Sequence, residues 1–327
     1  MTLPAKLIGY TLALCAFAAL CTTSASAQNY PAKTIEWVVP YPAGGGSDVV
    51  ARAVSEAMAR SLMQPIIINN KPGAATNIGA DYVAHAKPDG YTILTGDTAT
   101  LAANPSLYAK LSYSAEKDLT PIGLLARFPM ILVVNPTIPV KNLTEFVAWA
   151  NAQKDSISYA SPGAGSPHHL TTELFAGQAR LKLVHVAYKG AAPAVQDVVG
   201  GQVPFMFVDT ASGMSFINAG RLRPIAIASL KRVKNFDTIA TLDEQGLKGF
   251  EAYAWQGLVA PAATPADVIA KLNTALVEAL KSSAVQTRFL ALGLEATPST
   301  PTEMSSYARS EREKWSRVIR ASGIKLD

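Results

Sequence analysis

Trp37-Val38-Val39-Pro40-Tyr41-Pro42-Ala43-Gly44-Gly45-Gly46-Ser47-Asp48 carries an apolar strand into a run of glycines, and residues 49–62 continue it as an amphipathic helix. Strand, tight turn and helix in that order are the repeating unit of α/β folds. Ser47 or Asp48 is the expected N-cap, because a short polar side chain accepts an N–H that the first helical turn leaves unpaired. Glycines let a ligand approach the main chain with no Cβ between them. The unpaired N–H groups carry partial positive charge, so this corner is either a seat for a small anion or a plain βα connection. No Gly-Lys-Ser/Thr follows, which excludes a P-loop. The third glycine of a dinucleotide fingerprint is also missing at the required spacing.

The unit recurs along the chain. Strand-like runs at 66–69, 91–95, 158–160 and 205–208 alternate with helical runs at 142–153, 167–179, 265–282 and 302–322. The expected fold class is therefore α/β, with largely parallel sheets covered by helices on both faces and ligands gathered at the carboxyl ends of the strands. A second glycine corner, Ser161-Pro162-Gly163-Ala164-Gly165-Ser166-Pro167, supplies hydroxyls and main-chain donors before a helix but no cation. Neutral donors of this kind suit a carboxylate held partly through water, and Pro167 fits a first helical turn.

Residues 1–27 place one lysine, Lys6, before an apolar core and end in Ala25-Ser26-Ala27, the pattern of a secretory signal cleaved before Gln28. Cys15 and Cys21 both lie inside that segment and each follows a leucine, which disfavours a lipid anchor. The expected mature chain has no cysteine, hence no disulfide, thiolate metal site or cysteine nucleophile, and the bacterial periplasm is its expected address. With 49% hydrophobic and 16% charged residues and a formal charge of +5, the chain is globular and carries no nucleic-acid signature.

His168 and His169 are neighbours on an expected helix and project about a hundred degrees apart, so chelation by both is awkward and no metal is expected. One of them packs or donates into the cleft. A Ser161, His169 and Asp209 triad can be written, but no Gly-x-Ser-x-Gly elbow accompanies it, which leaves a secreted hydrolase as the alternative class.

These pieces, with Tyr30-Pro31, Asn69-Lys71-Pro72-Gly73, Pro88-Asp89-Gly90-Tyr91-Thr92, Tyr188-Lys189-Gly190, Gly200-Gly201-Gln202-Val203, Trp255-Gly257-Leu258 and Thr264-Pro265, resemble the tripartite tricarboxylate transporter substrate-binding family, the Bug or TctC-like proteins. The resemblance runs through the whole expected mature chain. It implies a two-lobed periplasmic binding protein that closes like a Venus flytrap on a small organic acid and delivers it to membrane permease subunits. It implies no catalysis and no cofactor, and a monomer is expected. Carried over by position, Tyr41, Ala43, Gly44, Gly45, Asp48 and Thr98 come from the first lobe, and Ser161, Gly165, Ser166, His169, Ala191 and Asp209 from the second. The lobes are expected at 28–127 with 252–327, and at 128–251.

Overall fold

β1 (Ile35–Val39) is apolar almost throughout and buried at every residue but one, as befits a strand covered on both faces. The structure is a computed structural model describing residues 30–326, residue 235 excepted, so the segment read as a secretory signal and both cysteines lie outside the described residues. From β1 the chain enters α1 (Gly46–Leu62), which buries Val50, Val54, Ala57 and Met58 at helical spacing. β2 (Ile66–Asn70), α2 (Asn77–Ala84) and β3 (Thr92–Asp97) follow, then a π-helical turn at Thr98–Ala103 and the short α3 (Asn104–Leu107). β2 and β3 both lie parallel to β1, with Ile35 opposite Ile66 and Glu36 opposite Thr92.

β4 (Leu119–Val134) is a single strand of 16 residues where the hydrophobic pattern suggests two runs, 122–125 and 130–135. Pro121 and Pro129 interrupt that pattern, and the pairing absorbs Pro121 by a register shift before Gly123. After α4 (Leu143–Asn151), a second set of βα units follows: β5 (Ile157–Ser161), α5 (Pro167–Ala179), β6 (Leu183–Ala187), α6 (Ala191–Val199), β7 (Phe205–Asp209), α7 (Thr210–Asn218) and β8 (Arg223–Ile227). β5 is parallel to both β6 and β7. The chain closes with β9 (Tyr253–Pro261), α8 (Ala266–Lys281), α9 (Ser283–Ala291), β10 (Glu295–Ala296) and α10 (Pro301–Ser322).

The strands run in the order β2-β1-β3-β9-β4-β7-β5-β6, with β8 and β10 also on β4. Every antiparallel pair involves β4 or β9, so parallel βα sets flank two long joining strands. β4 is shared between them: Leu119 to Pro129 pair with β9, and Met130 to Val134 pair with β7 and β8. The result is a two-lobed α/β fold with the carboxyl ends of both parallel sets turned toward the middle.

α10 ties the joining strands to the π-helical turn. Its buried Glu311 accepts the indole N–H of Trp255 at 3.1 Å and that of Trp315 at 2.9 Å, and Arg312 donates to the Leu101 carbonyl at 3.1 Å.

Candidate functional site

Between the two parallel sets lies a cleft of about 730 Å³. Its walls include the first residues of four helices: Gly46 and Ser47 of α1, Pro167 and His168 of α5, Ala191 of α6, and Ala211 and Ser212 of α7. The π-helical turn adds Thr98 and Ala99. No lysine or arginine is among the lining residues. Each helix start carries about half a positive elementary charge, so the cleft attracts an anion through main-chain dipoles alone.

The first corner is held from behind. The helix starts at Gly46 with Gly45 as N-cap, not at Ser47 or Asp48 as expected. The reason is Asp48, whose carboxylate reaches back to the Gly44 N–H (2.9 Å) and also accepts from Arg52 (2.9 Å) and Asn70 (3.0 Å). The Arg52 bond in particular, with Gly44 and Asn70, outweighs burial and lowers the Asp48 carboxyl to about 2. Gly44 sits at φ +82°, where any other residue would be strained. The N–H groups of Gly46 and Ser47 have no acceptor among the described residues.

Two histidines divide the work at the second corner. His169 turns away from the cleft, stacks on His185 at 3.7 Å, and accepts the Gly165 N–H on Nδ1 at 3.0 Å. Burial first, and then the neighbouring His185, lower its pKa to about 3. His168 is the one that lines the cleft, with Nε2 2.9 Å from Asp209 Oδ2. Ser166 caps α5 through the His169 N–H at 3.3 Å, and Gly190 donates to the Pro162 carbonyl at 2.9 Å, fastening the corner to α6.

Both carboxylates on the wall are already engaged. Asp209 caps α7, accepting the Ser212 N–H (2.9 Å) and hydroxyl (2.8 Å) besides His168. Burial acts to raise its pKa, but the His168 and Ser212 bonds win and hold it below the ordinary carboxylate value. Asp97 accepts the Thr100 N–H at 2.9 Å and the Tyr41 hydroxyl, yet burial dominates and raises it.

Of the residues expected from the sequence, Tyr41, Gly44, Gly45, Thr98, Gly165, Ser166, Ala191 and Asp209 line this one cleft. Ala43, Asp48, Ser161 and His169 do not. Ala43 is exposed beside the corner, Asp48 and His169 hold the corners from behind, and Ser161 bonds the Gly163 N–H and His185 Nε2 (2.6 Å). The triad written from the sequence comes apart here: Ser161 pairs with His185, Asp209 with His168, and His169 with Gly165. Gln256, Trp255 and Phe128 also line the cleft and are not among the site residues expected from the sequence, since each sits in an apolar strand pattern that looks like ordinary core.

The family described as tripartite tricarboxylate transporter family receptor matches residues 50–324. The chain belongs to this family. Protein BugT of Bordetella pertussis (strain Tohama I) is 35% identical over 302 residues, covering 92% of this chain and 93% of that one. Among solved structures, R. palustris Rpa4515 with adipate superposes with a TM-score of 0.82 at 30% identity, covering 91% of this chain and 99% of that one. MatC (Rpa3494) from Rhodopseudomonas palustris with bound malate has a TM-score of 0.77 at 34% identity, covering 89% and 100%. Like them, the chain is a receptor of the periplasmic binding-protein kind.

His169 makes the stability of this receptor pH-dependent. Burial lowers its pKa to about 3 in the folded protein against the ordinary 6.5, so below pH 6.5 the unfolded chain gains a proton that the folded chain refuses. Stability is expected to fall as pH drops from about 6 toward 3, by up to about 1.4 kcal/mol per pH unit from this group. Urea unfolding at pH 7, 5 and 4 on the wild type and His169→Gln checks this; equal pH slopes in the two proteins would remove His169 as the cause.

Proposed function

We propose that this chain is an exported solute receptor that captures a small organic carboxylate between its lobes and presents it to the permease subunits of a tripartite carboxylate transporter. The observation that carries this is the convergence of four helix N-termini on one cleft whose lining residues include no lysine or arginine. Such a site holds a carboxylate through main-chain N–H groups and hydroxyls, with Ser166 and Ser47 as side-chain donors on its two corners. The adipate and malate carried by the two R. palustris relatives support the same ligand chemistry. In this reading Tyr41, Gly44, Gly45, Thr98, Gly165, Ser166, Ala191 and Asp209 touch the ligand or its water, while Ala43, Asp48, Ser161 and His169 shape the corners.

The lobes would be 28–127 with 252–327, and 128–251, exchanging at the Pro129 to Met130 handover in β4 and near Tyr253 in β9. Closure about those two strands brings the corners onto the ligand. The protein would be a periplasmic monomer, cut before Gln28, that makes and breaks no bond. The separation of Ser161, His169 and Asp209 favours binding over hydrolysis.

The test is a calorimetric and thermal-shift screen of mono-, di- and tricarboxylates on chain purified from residue 28, beside an ester and amide turnover assay. A receptor gains stability with at least one class of acid and turns over nothing. Ester cleavage lost in Ser161→Ala, with no acid bound, would replace this reading by the hydrolase.

A further inference from the structure

Five buried side-chain polar atoms lack a hydrogen-bond partner among the described residues, and two of them belong to residues lining the cleft: His168 Nδ1 and Gln256 Oε1. His168 is 7% exposed and Gln256 5%, so water reaches neither freely. A buried acceptor without a donor is costly, and native proteins leave few of them without a role. The other three, Arg127 Nε, Thr171 Oγ1 and Thr297 Oγ1, belong to residues that do not line this space.

The chemistry of the two atoms agrees. Gln256 Nε2 donates to Ser47 Oγ at 2.6 Å, which leaves Oε1 as an acceptor only. His168 Nε2 faces the acceptor Asp209 Oδ2 at 2.9 Å, so the ring proton of that contact sits on Nε2, and in this tautomer the unpartnered Nδ1 holds a lone pair. Gln256 stands on β9 and His168 on α5, one on each side of the cleft. Asp209 beside His168 and Asp97 opposite Gln256 in the β3–β9 pair make this end a poor place for a second carboxylate.

We propose that Gln256 Oε1 and His168 Nδ1 read hydrogen-bond donors on the carbon chain of the ligand, a hydroxyl satisfying one of them and an ammonium both, beyond the carboxylate that the helix N-termini hold. The preferred ligands are then hydroxy- or amino-substituted carboxylates. Because the two acceptors come from opposite sides, an amino-substituted ligand bridges the lobes and completes closure where its unsubstituted parent does not. This rests on the carboxylate-receptor reading above and deepens it.

Calorimetry with two matched sets tests it: succinate against malate and aspartate, and butyrate against 3-hydroxybutyrate and 4-aminobutyrate. At least one donor-bearing acid is expected to bind about tenfold or more tightly than its parent, the worth of one well-made bond to a buried acceptor. Which of the two, hydroxyl or amino, shows the gain identifies the donor. In Gln256→Leu that ratio is expected to shrink below about threefold, and in His168→Phe, which removes the ring acceptor while Ser212 still holds Asp209, to shrink likewise. Melting curves verify that each variant is folded. An independent readout in the unaltered protein is the nitrogen-15 shift of His168 Nδ1, which should move only with the donor-bearing acids. Parents binding as tightly as their substituted forms, in either the wild type or through an unmoved His168 signal, would overturn the proposal while leaving the receptor standing. No binding by any acid would instead remove the receptor reading itself.

Discussion

Glu311→Leu is expected to destabilise the protein by about 2–5 kcal/mol, far more than its position on a terminal helix suggests. Glu311 Oε2 is the acceptor for two buried indoles, Trp255 and Trp315, which are 1% and 0% exposed. Leucine fills the volume but strands both N–H groups, at about 1–3 kcal/mol each. The Lys314 contact at 2.5 Å is lost as well, but that lysine is 23% exposed and contributes less. Glu311→Gln keeps an amide oxygen for the indoles and should cost only about 1 kcal/mol. Denaturant midpoints of the three proteins decide the matter. Leucine and glutamine variants of equal stability would mean that packing, not the shared acceptor, holds α10. Ligand affinity should fall with Glu311→Leu too, because Trp255 lines the cleft and its backbone N–H bonds Thr98 Oγ1 at 3.0 Å.

Ala191→Glu is expected to lower affinity for organic acids by about a hundredfold, near 2.7 kcal/mol, without destabilising the fold. Ala191 is the first residue of α6, and Gly190, its N-cap, offers no side-chain acceptor. An acidic side chain there interacts favourably with the helix start, by about 0.3–1 kcal/mol. The same carboxylate occupies the donors meant for the ligand and repels it, an effect of about 4 kcal/mol at 4 Å and an effective dielectric constant near 20. Ala191→Gln has nearly the same size without the charge, so the gap between the two variants isolates the electrostatic part. A gap below threefold by calorimetry would show that this helix end does not face the bound anion. Stability and binding should thus move in opposite directions, which a merely disruptive substitution does not produce.

The alternation of apolar strands with helical runs, and the glycine corners at Gly44 to Gly46 and Gly163 to Gly165, were legible because they are local. A strand period, a helix period and the backbone freedom of glycine are properties of a few adjacent residues. What the sequence misses or misjudges has equally local reasons, α7 and β4 among them. α7 (Thr210–Asn218) is short and weakly patterned, and β4 is broken by two prolines whose lost donors only the neighbouring strands can absorb.

The site divides along the same line. That Ser166 and Asp209 lie at helix starts follows from their places in the chain, and both cap helices as well as line the cleft. Sequence also narrowed the histidine question to a neighbouring pair. Only the fold decides that His168 meets Asp209 across 41 residues while His169 turns to Gly165 and His185. Likewise Asp48 looks like a ligand contact until Arg52 and Asn70 are seen to claim it, and Gln256 looks like core until Ser47, 209 residues away, takes its donor. Sequence by itself determined the architecture, the family and the two corners, since these rest on short-range order. Tertiary structure decided which polar atoms are spent within the protein and which remain for a ligand, because burial and partners are set by residues far apart in the chain.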